Sequence, residues 1–86
     1  MSLENIGMNV SWFYNPGEAA IHFFIECHGE NFAAVELSDV SGKILFRMQA
    51  PTNFDVRINV SNLPKGIYFL RASSEYEFVV KKIMIN

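Results

Sequence analysis

Apolar and polar positions alternate along most of this chain, and turn-forming residues interrupt the alternation at the spacing typical of a sandwich or barrel. Met8, Val10 and Trp12 open a first strand, which Asn15-Pro16-Gly17 closes. Ala19, Ile21, Phe23, Ile25 and Cys27 line one face of a second strand. Its other face carries His22, Glu26 and His28, with Phe24 breaking the polar run. A turn at 28–31 leads to a third strand with Ala33, Val35 and Leu37 inward. Ile44, Phe46 and Met48 make a fourth, ended by Pro51-Thr52-Asn53, and Val56, Ile58 and Val60 a fifth. Residues 61–66 form a corner, 67–72 a sixth strand and 76–85 a seventh. No apolar face recurs at three-four spacing over ten residues, so no helix is predicted. Seven short antiparallel strands predict an all-β fold. Its expected form is an immunoglobulin-like sandwich of two packed sheets with Greek-key connections.

Three segments sharpen this picture. Asp39-Val40-Ser41-Gly42 has Asp first and Gly fourth, which fits a type I turn followed by a left-handed residue. In Leu63-Pro64-Lys65-Gly66-Ile67-Tyr68, Pro64 fixes a turn and Gly66 is free to take positive φ. Tyr68 then starts a strand, the order of a tyrosine corner in which the phenol bonds to backbone upstream. The last segment, Phe78 to Ile85, is a long β-former split by adjacent lysines, Lys81 and Lys82. Alternation sends one of them inward, so the segment is expected to carry a bulge or to lie at a sheet edge. Edge lysines block unwanted sheet-to-sheet pairing. A cationic edge can equally serve as a docking epitope, for an added strand or for a second copy of the chain.

A single domain is all that 86 residues allow, and at this size folding removes only roughly 60% of the unfolded surface from water. Half the residues are apolar and 14% aromatic, enough for a packed core and too many for a disordered tail. Residues 1–7 are expected to be a leader or an expression remnant, and 8–86 the sandwich, a C-terminal module of a longer secreted protein. The formal charge of −2 is too small to argue for nucleic acid, but it is unevenly spread. All seven Lys and Arg lie after residue 42, whereas six of the nine acids precede it. That asymmetry suits either pairing of acidic and basic strands in one sheet or steering of an acidic partner. Cys27 is the only cysteine, so no internal disulfide forms. No apolar run approaches the roughly 18 residues of a membrane-spanning helix, and residues 1–5 lack the features of a signal peptide.

Candidate chemistry is thin. His22 and His28 are six residues apart, about 20 Å along a strand, too far to share one metal ion, and Glu26 with His28 lacks a third ligand. Cys27 is in phase with Ile21, Phe23 and Ile25, which predicts a buried, inert thiol. No phosphate-binding glycine loop, nucleophile elbow or metalloprotease helix motif occurs. Phe23, Phe46 and Phe69 fall on alternating apolar faces, so core packing is preferred over base stacking. The sequence therefore predicts no enzyme, no cofactor, no metal site, no nucleic-acid binding and no membrane insertion.

The blocks from Val35 to Leu45 and from Ile58 to Arg71, and the ending Lys81-Lys82-Ile83-Met84-Ile85, resemble type IX (Por) secretion-system C-terminal sorting domains. Tyr14-Asn15-Pro16 is similar to their opening motif, one proline short, and Asn59 stands where an Asp is usual. The resemblance implies an immunoglobulin-like sandwich at the end of a large protein of a Bacteroidetes-type bacterium. It implies export through the periplasm and an outer-membrane translocon to the cell surface or beyond, where a surface sortase removes the domain. By position, Gly66 and Tyr68 fall in the glycine-tyrosine motif. Lys81, Lys82, Ile83 and Ile85 fall in the terminal motif read by the secretion machinery. Asp39, Gly42, Leu63, Pro64 and Gly66 are structural turn residues. Small secreted β-sandwich proteins of the same bacteria share the turn blocks. The alternative reading is therefore an accessory or adhesion module that binds a protein or glycan, or spaces other domains.

Overall fold

A computed structural model describes residues 7–86. The leader expected at 1–7 falls, but for Gly7, outside the described residues. Seven antiparallel strands form two sheets and no helix occurs among the described residues. They are β1 (Asn9–Asn15), β2 (Ala20–Glu26), β3 (Phe32–Asp39), β4 (Ile44–Pro51), β5 (Asp55–Asn59), β6 (Gly66–Ser73) and β7 (Phe78–Ile85). One sheet has the order β1-β2-β5 and the other β4-β3-β6-β7. The chain makes one hairpin in the first sheet (β1-β2) and two in the second (β3-β4 and β6-β7), and it crosses between sheets from β2 to β3, β4 to β5 and β5 to β6. This is the predicted Greek-key sandwich of immunoglobulin-like type.

Alternate side chains of both sheets meet in one core. Val10, Ile21, Phe23, Ile25, Val56 and Ile58 come from the three-stranded sheet, and Ala33, Val35, Leu37, Tyr68, Leu70, Ala72, Ile83 and Ile85 from the four-stranded one. Phe23, Ile21, Ile25 and Leu37 are its largest fully enclosed side chains. At about 25 cal/mol per Å² of apolar surface removed from water, such residues supply most of the folding drive. Cys27 is buried at the end of this row, and burial pushes its thiol up from the usual range, as expected of an inert cysteine.

The alternation places four side chains differently from the structure. Ala19 leaves the β2 row because the turn after Asn15 closes with Glu18 N–H donating to Asn15 O (3.3 Å) and Ala19 N–H to Pro16 O (3.2 Å). That geometry puts Ala19 at φ 53°, and strand pairing starts one residue later. Phe46 and Ile44 are exposed (36% and 39%) although Phe46 sits opposite the buried Leu37. Their strand is an edge of a four-stranded sheet facing a three-stranded one, so its inner side overhangs. The register shift at Leu37/Ser38 further displaces Ile44. Phe69 faces outward, opposite Lys82 and Ser38. Of the three phenylalanines assigned to the core, only Phe23 is there. The seventh strand starts at Phe78 instead of 76. Ser74 N–H bonds to Glu77 O (2.8 Å), and Ser74 Oγ accepts the N–H groups of Tyr76 and Glu77, which holds Tyr76 in the turn.

Candidate functional site: the β6–β7 corner and edge

The local chemistry of the corner is the one its sequence predicts. Asn59 Oδ1 accepts Ser61 N–H (2.9 Å) and Ser61 Oγ–H (2.7 Å), turning the chain out of β5. The amide oxygen does what a carboxylate would do there. Leu63 N–H then bonds to Val60 O (3.0 Å), and Leu63 packs against the core. Gly66 enters β6 at φ +150°, a conformation L side chains rarely adopt. The buried Tyr68 donates its hydroxyl to Pro64 O at 2.5 Å, which makes this a tyrosine corner. At the same end of the sheet, where Asp39 lies opposite Tyr68, Asp39 Oδ1 collects Ser41 N–H (2.9 Å), Ser41 Oγ–H (2.6 Å) and Lys43 N–H (3.1 Å). Gly42, at φ +90°, donates to Asp39 O, completing the predicted turn. The Ser41 hydroxyl, followed by the two backbone donors, holds the Asp39 carboxyl below its usual range.

Two of the sequence blocks are joined here residue by residue, as the arms of one hairpin. Gly66 lies opposite Ile85, Tyr68 opposite Ile83, Phe69 opposite Lys82 and Leu70 opposite Lys81. Ile83 and Ile85 point inward and are buried, so they anchor β7 to the core beside the tyrosine corner. Lys82 faces out between Val80 and Met84, and Lys81 is turned inward at the rim, half-buried. The pairing of β7 with β6 is continuous from Ile85 to Phe78, so no bulge absorbs the lysines. The strand is an edge, the second of the two expected outcomes. An open groove lined by Lys65, Gly66, Ile67, Met84, Ile85 and Asn86 runs along the end of this corner. Among the described residues neither lysine makes an ion pair, whereas Arg47 bonds Glu36 at 3.2 Å in the same sheet. Arg71 lies over the Phe78 ring at 4.3 Å, adding a second cation beside Lys82 to this outer face.

The outer face of the other sheet is arranged differently. His22 directs Nε2 to Glu18 Oε1 (2.7 Å) and Nδ1 to Asp55 Oδ2 (3.2 Å), and its ring stacks on Phe13 at 4.6 Å, almost parallel. Both ring nitrogens can donate only in the imidazolium form. The bond to Glu18, then that to Asp55, raises the His22 pKa above 6.5, and His22 lowers that of Glu18. Arg57 approaches Glu18 at 3.8 Å. This cluster was not legible in the sequence. Glu18 and His22 are four residues apart across a turn, and Asp55 comes from another strand 33 residues on. It also occupies both nitrogens of His22. Glu26 shares the outer face of β2 with it, whereas His28 lies beyond the strand's end.

Residues 12–86 match the family model of the secretion system C-terminal sorting domain. The chain belongs to that family. No curated protein matches it. The sorting domain is a signal for type IX secretion, and the family is not a catalytic one. In this sorting domain three of the sequence blocks that carry the resemblance meet at one end of the four-stranded sheet, where Asp39 lies opposite Tyr68, and Gly66 and Tyr68 lie opposite Ile85 and Ile83. Its membership implies contact with the secretion machinery and export across the cell envelope to the surface.

Proposed function

We propose that β7 is the element by which the secretion machinery recognises this domain, with Lys81 and Lys82 as the charged contacts. Ile83, Ile85, Gly66 and Tyr68 are positioning residues that fix the strand's place in the sheet. The observation that carries this reading is the pair of adjacent lysines, without carboxylate partners among the described residues, at the centre of an edge strand pinned by two buried isoleucines. Charges at a rigid edge cost little entropy to organise and steer an acidic partner toward the strand. The partners are an outer-membrane translocon, which takes the attached protein from periplasm to surface, and a surface sortase that afterwards separates the domain from it.

The test is a fusion of the whole chain to a periplasmic reporter in a bacterium with the type IX apparatus. The fusion reaches the surface. Lys81→Ala with Lys82→Ala leaves it in the periplasm, folded and in normal amount. Retention of the unsubstituted fusion in the periplasm overturns the sorting assignment for this chain. Export of the double variant at the unsubstituted rate overturns the role of the lysines.

A further inference from the structure

The register of β7 limits what can pair with its open side. Side chains directly opposite one another in a sheet share a face. In β7 the odd positions Val79, Lys81, Ile83 and Ile85 face the core side, and Phe78, Val80, Lys82 and Met84 face outward. A second copy joining antiparallel about a two-fold axis must therefore set odd against odd and even against even. The two longest symmetric registers of this strand centre on Lys81 or on Lys82, and each places a lysine against its own symmetry mate. Every other symmetric register shortens the overlap. Like charges directly opposite destabilise a strand pair, so the lysines act against self-pairing at the positions where it would be most extensive.

The same geometry describes a strand the edge would accept. The position opposite Lys82 is flanked, two residues away on the same face, by positions opposite the exposed Val80 and Met84. Phe78 and Arg71 extend that face at one end, and Ile67 at the other. Resting on the reading of β7 as the recognised element, we propose that its open edge takes up an extended segment of a partner protein. That segment reads apolar, any, acidic, any, apolar, with the acidic side chain against Lys82. Main-chain hydrogen bonds supply the attachment, and the acidic centre supplies the choice between this partner and a second copy.

The experiment uses the full chain labelled for NMR and three capped nine-residue peptides. One has Glu at the centre and Val two positions to either side, the second has Lys at the centre, and the third has the composition of the first in scrambled order. The Glu-centred peptide shifts and protects amides of β7, at least tenfold more tightly at low salt than the other two. The advantage shrinks as salt is raised. In Lys82→Glu the preference passes to the Lys-centred peptide. A mixture of unsubstituted chain and Lys82→Glu sediments partly as a dimer, while each alone is monomeric. Equal binding of the three peptides, protection of β1 or β4 instead of β7, or dimers of the unsubstituted chain alone through β7 would overturn the proposal. If the Glu-centred peptide fails while export still needs the lysines, the partner's chemistry is wrong and the recognition role of β7 stands. If it binds while export ignores the lysines, the edge is a real acceptor that the secretion machinery does not use.

Discussion

The two outer faces of this sandwich are built from the same alternation and finished in opposite ways. On the three-stranded sheet the charges close on one another: His22 holds Glu18 and Asp55, Arg57 stands by Glu18, and the Phe13 ring covers the imidazole. On the four-stranded sheet Glu36 and Arg47 pair, but β7 keeps two lysines at its centre with no carboxylate among the described residues. The inner faces differ little, since both supply buried aliphatic rows to a single core. On the proposed reading, what separates the two faces is whether their charges are satisfied within the fold, not how they are packed.

The largest effect belongs to what the two sheets share. Phe23→Ala empties the middle of β2, where Phe23 is 1% exposed, and is expected to cost about 3–5 kcal/mol. That is a large part of the roughly 5–15 kcal/mol that holds a domain together. Phe46→Ala, at the overhanging edge of β4, is expected to cost less than about 1 kcal/mol. Urea unfolding of the pair measures how far burial, as opposed to membership of an inward row, sets the energy. Equal losses would mean that the β4 edge is better covered than its exposure indicates.

The corner comes next. A Cβ on Gly66 meets no atom within 4 Å, so Gly66→Val is penalised by backbone conformation and not by a clash, at about 1–3 kcal/mol. Tyr68→Phe loses only the bond to Pro64 O and should cost about 1 kcal/mol. Thermal unfolding of both variants checks the order. A Gly66→Val protein as stable as the parent would remove the positive-φ argument from the corner.

These contrasts also mark where sequence reasoning reaches. Strand order of appearance, the Asp39–Gly42 turn, the tyrosine corner and the edge position of β7 were legible because each depends on local chemistry: period-two alternation, an Asx acceptor, a Pro and a Gly at fixed offsets. Phe69 was misassigned because both faces of 67–70 are apolar and the alternation there does not choose the inward one, whereas Phe46 was misassigned because the alternation gives a side chain's parity but not how far its neighbours extend over it. Only the opposing sheet's width decides that. The partnering of Gly66 with Ile85 and Tyr68 with Ile83 follows from register, which the hairpin at 74–77 fixes. The His22 cluster depends on β2 lying beside β5, a non-local pairing that no spacing announces.

That cluster predicts a pH dependence of sheet stability. His22 has a folded pKa raised above 6.5, so its stabilising contribution is complete below that value and is lost as pH rises through the raised one. Glu18 has its pKa lowered below 4.5, so its share is present above 4.5 and is lost as pH falls through the lowered value. The cluster is thus worth most from weakly acidic to neutral pH. His22→Gln, which cannot become a cation, is expected to flatten the alkaline loss and to weaken the acid limb as well, because the bond to His22 is the largest cause of the lowered Glu18 pKa. Urea midpoints across about pH 5 to 9, with an NMR titration of the His22 ring, test this. A parent whose stability does not fall on the alkaline side would mean that the two carboxylates are not held by an imidazolium.

The smallest change in stability is expected where the change in function is greatest. Lys81→Ala with Lys82→Ala removes two cations that contact no acid and leaves Ile83 and Ile85 buried, so folding free energy should move by no more than about 0.5 kcal/mol. On the opposite face, Glu18→Gln with Asp55→Asn breaks the His22 cluster and lowers stability near neutral pH, yet should leave export intact. Measuring unfolding and export for both double variants separates fold from signal. A lysine variant that lost export only in proportion to a loss of folded protein would mean that β7 acts through the core alone. A carboxylate variant that lost export while still folded would move recognition to the other sheet. The expected pattern is the crossed one, with stability falling on one face and export on the other, because the His22 cluster is built from pairs inside the fold whereas the proposed signal rests on the β7 lysines.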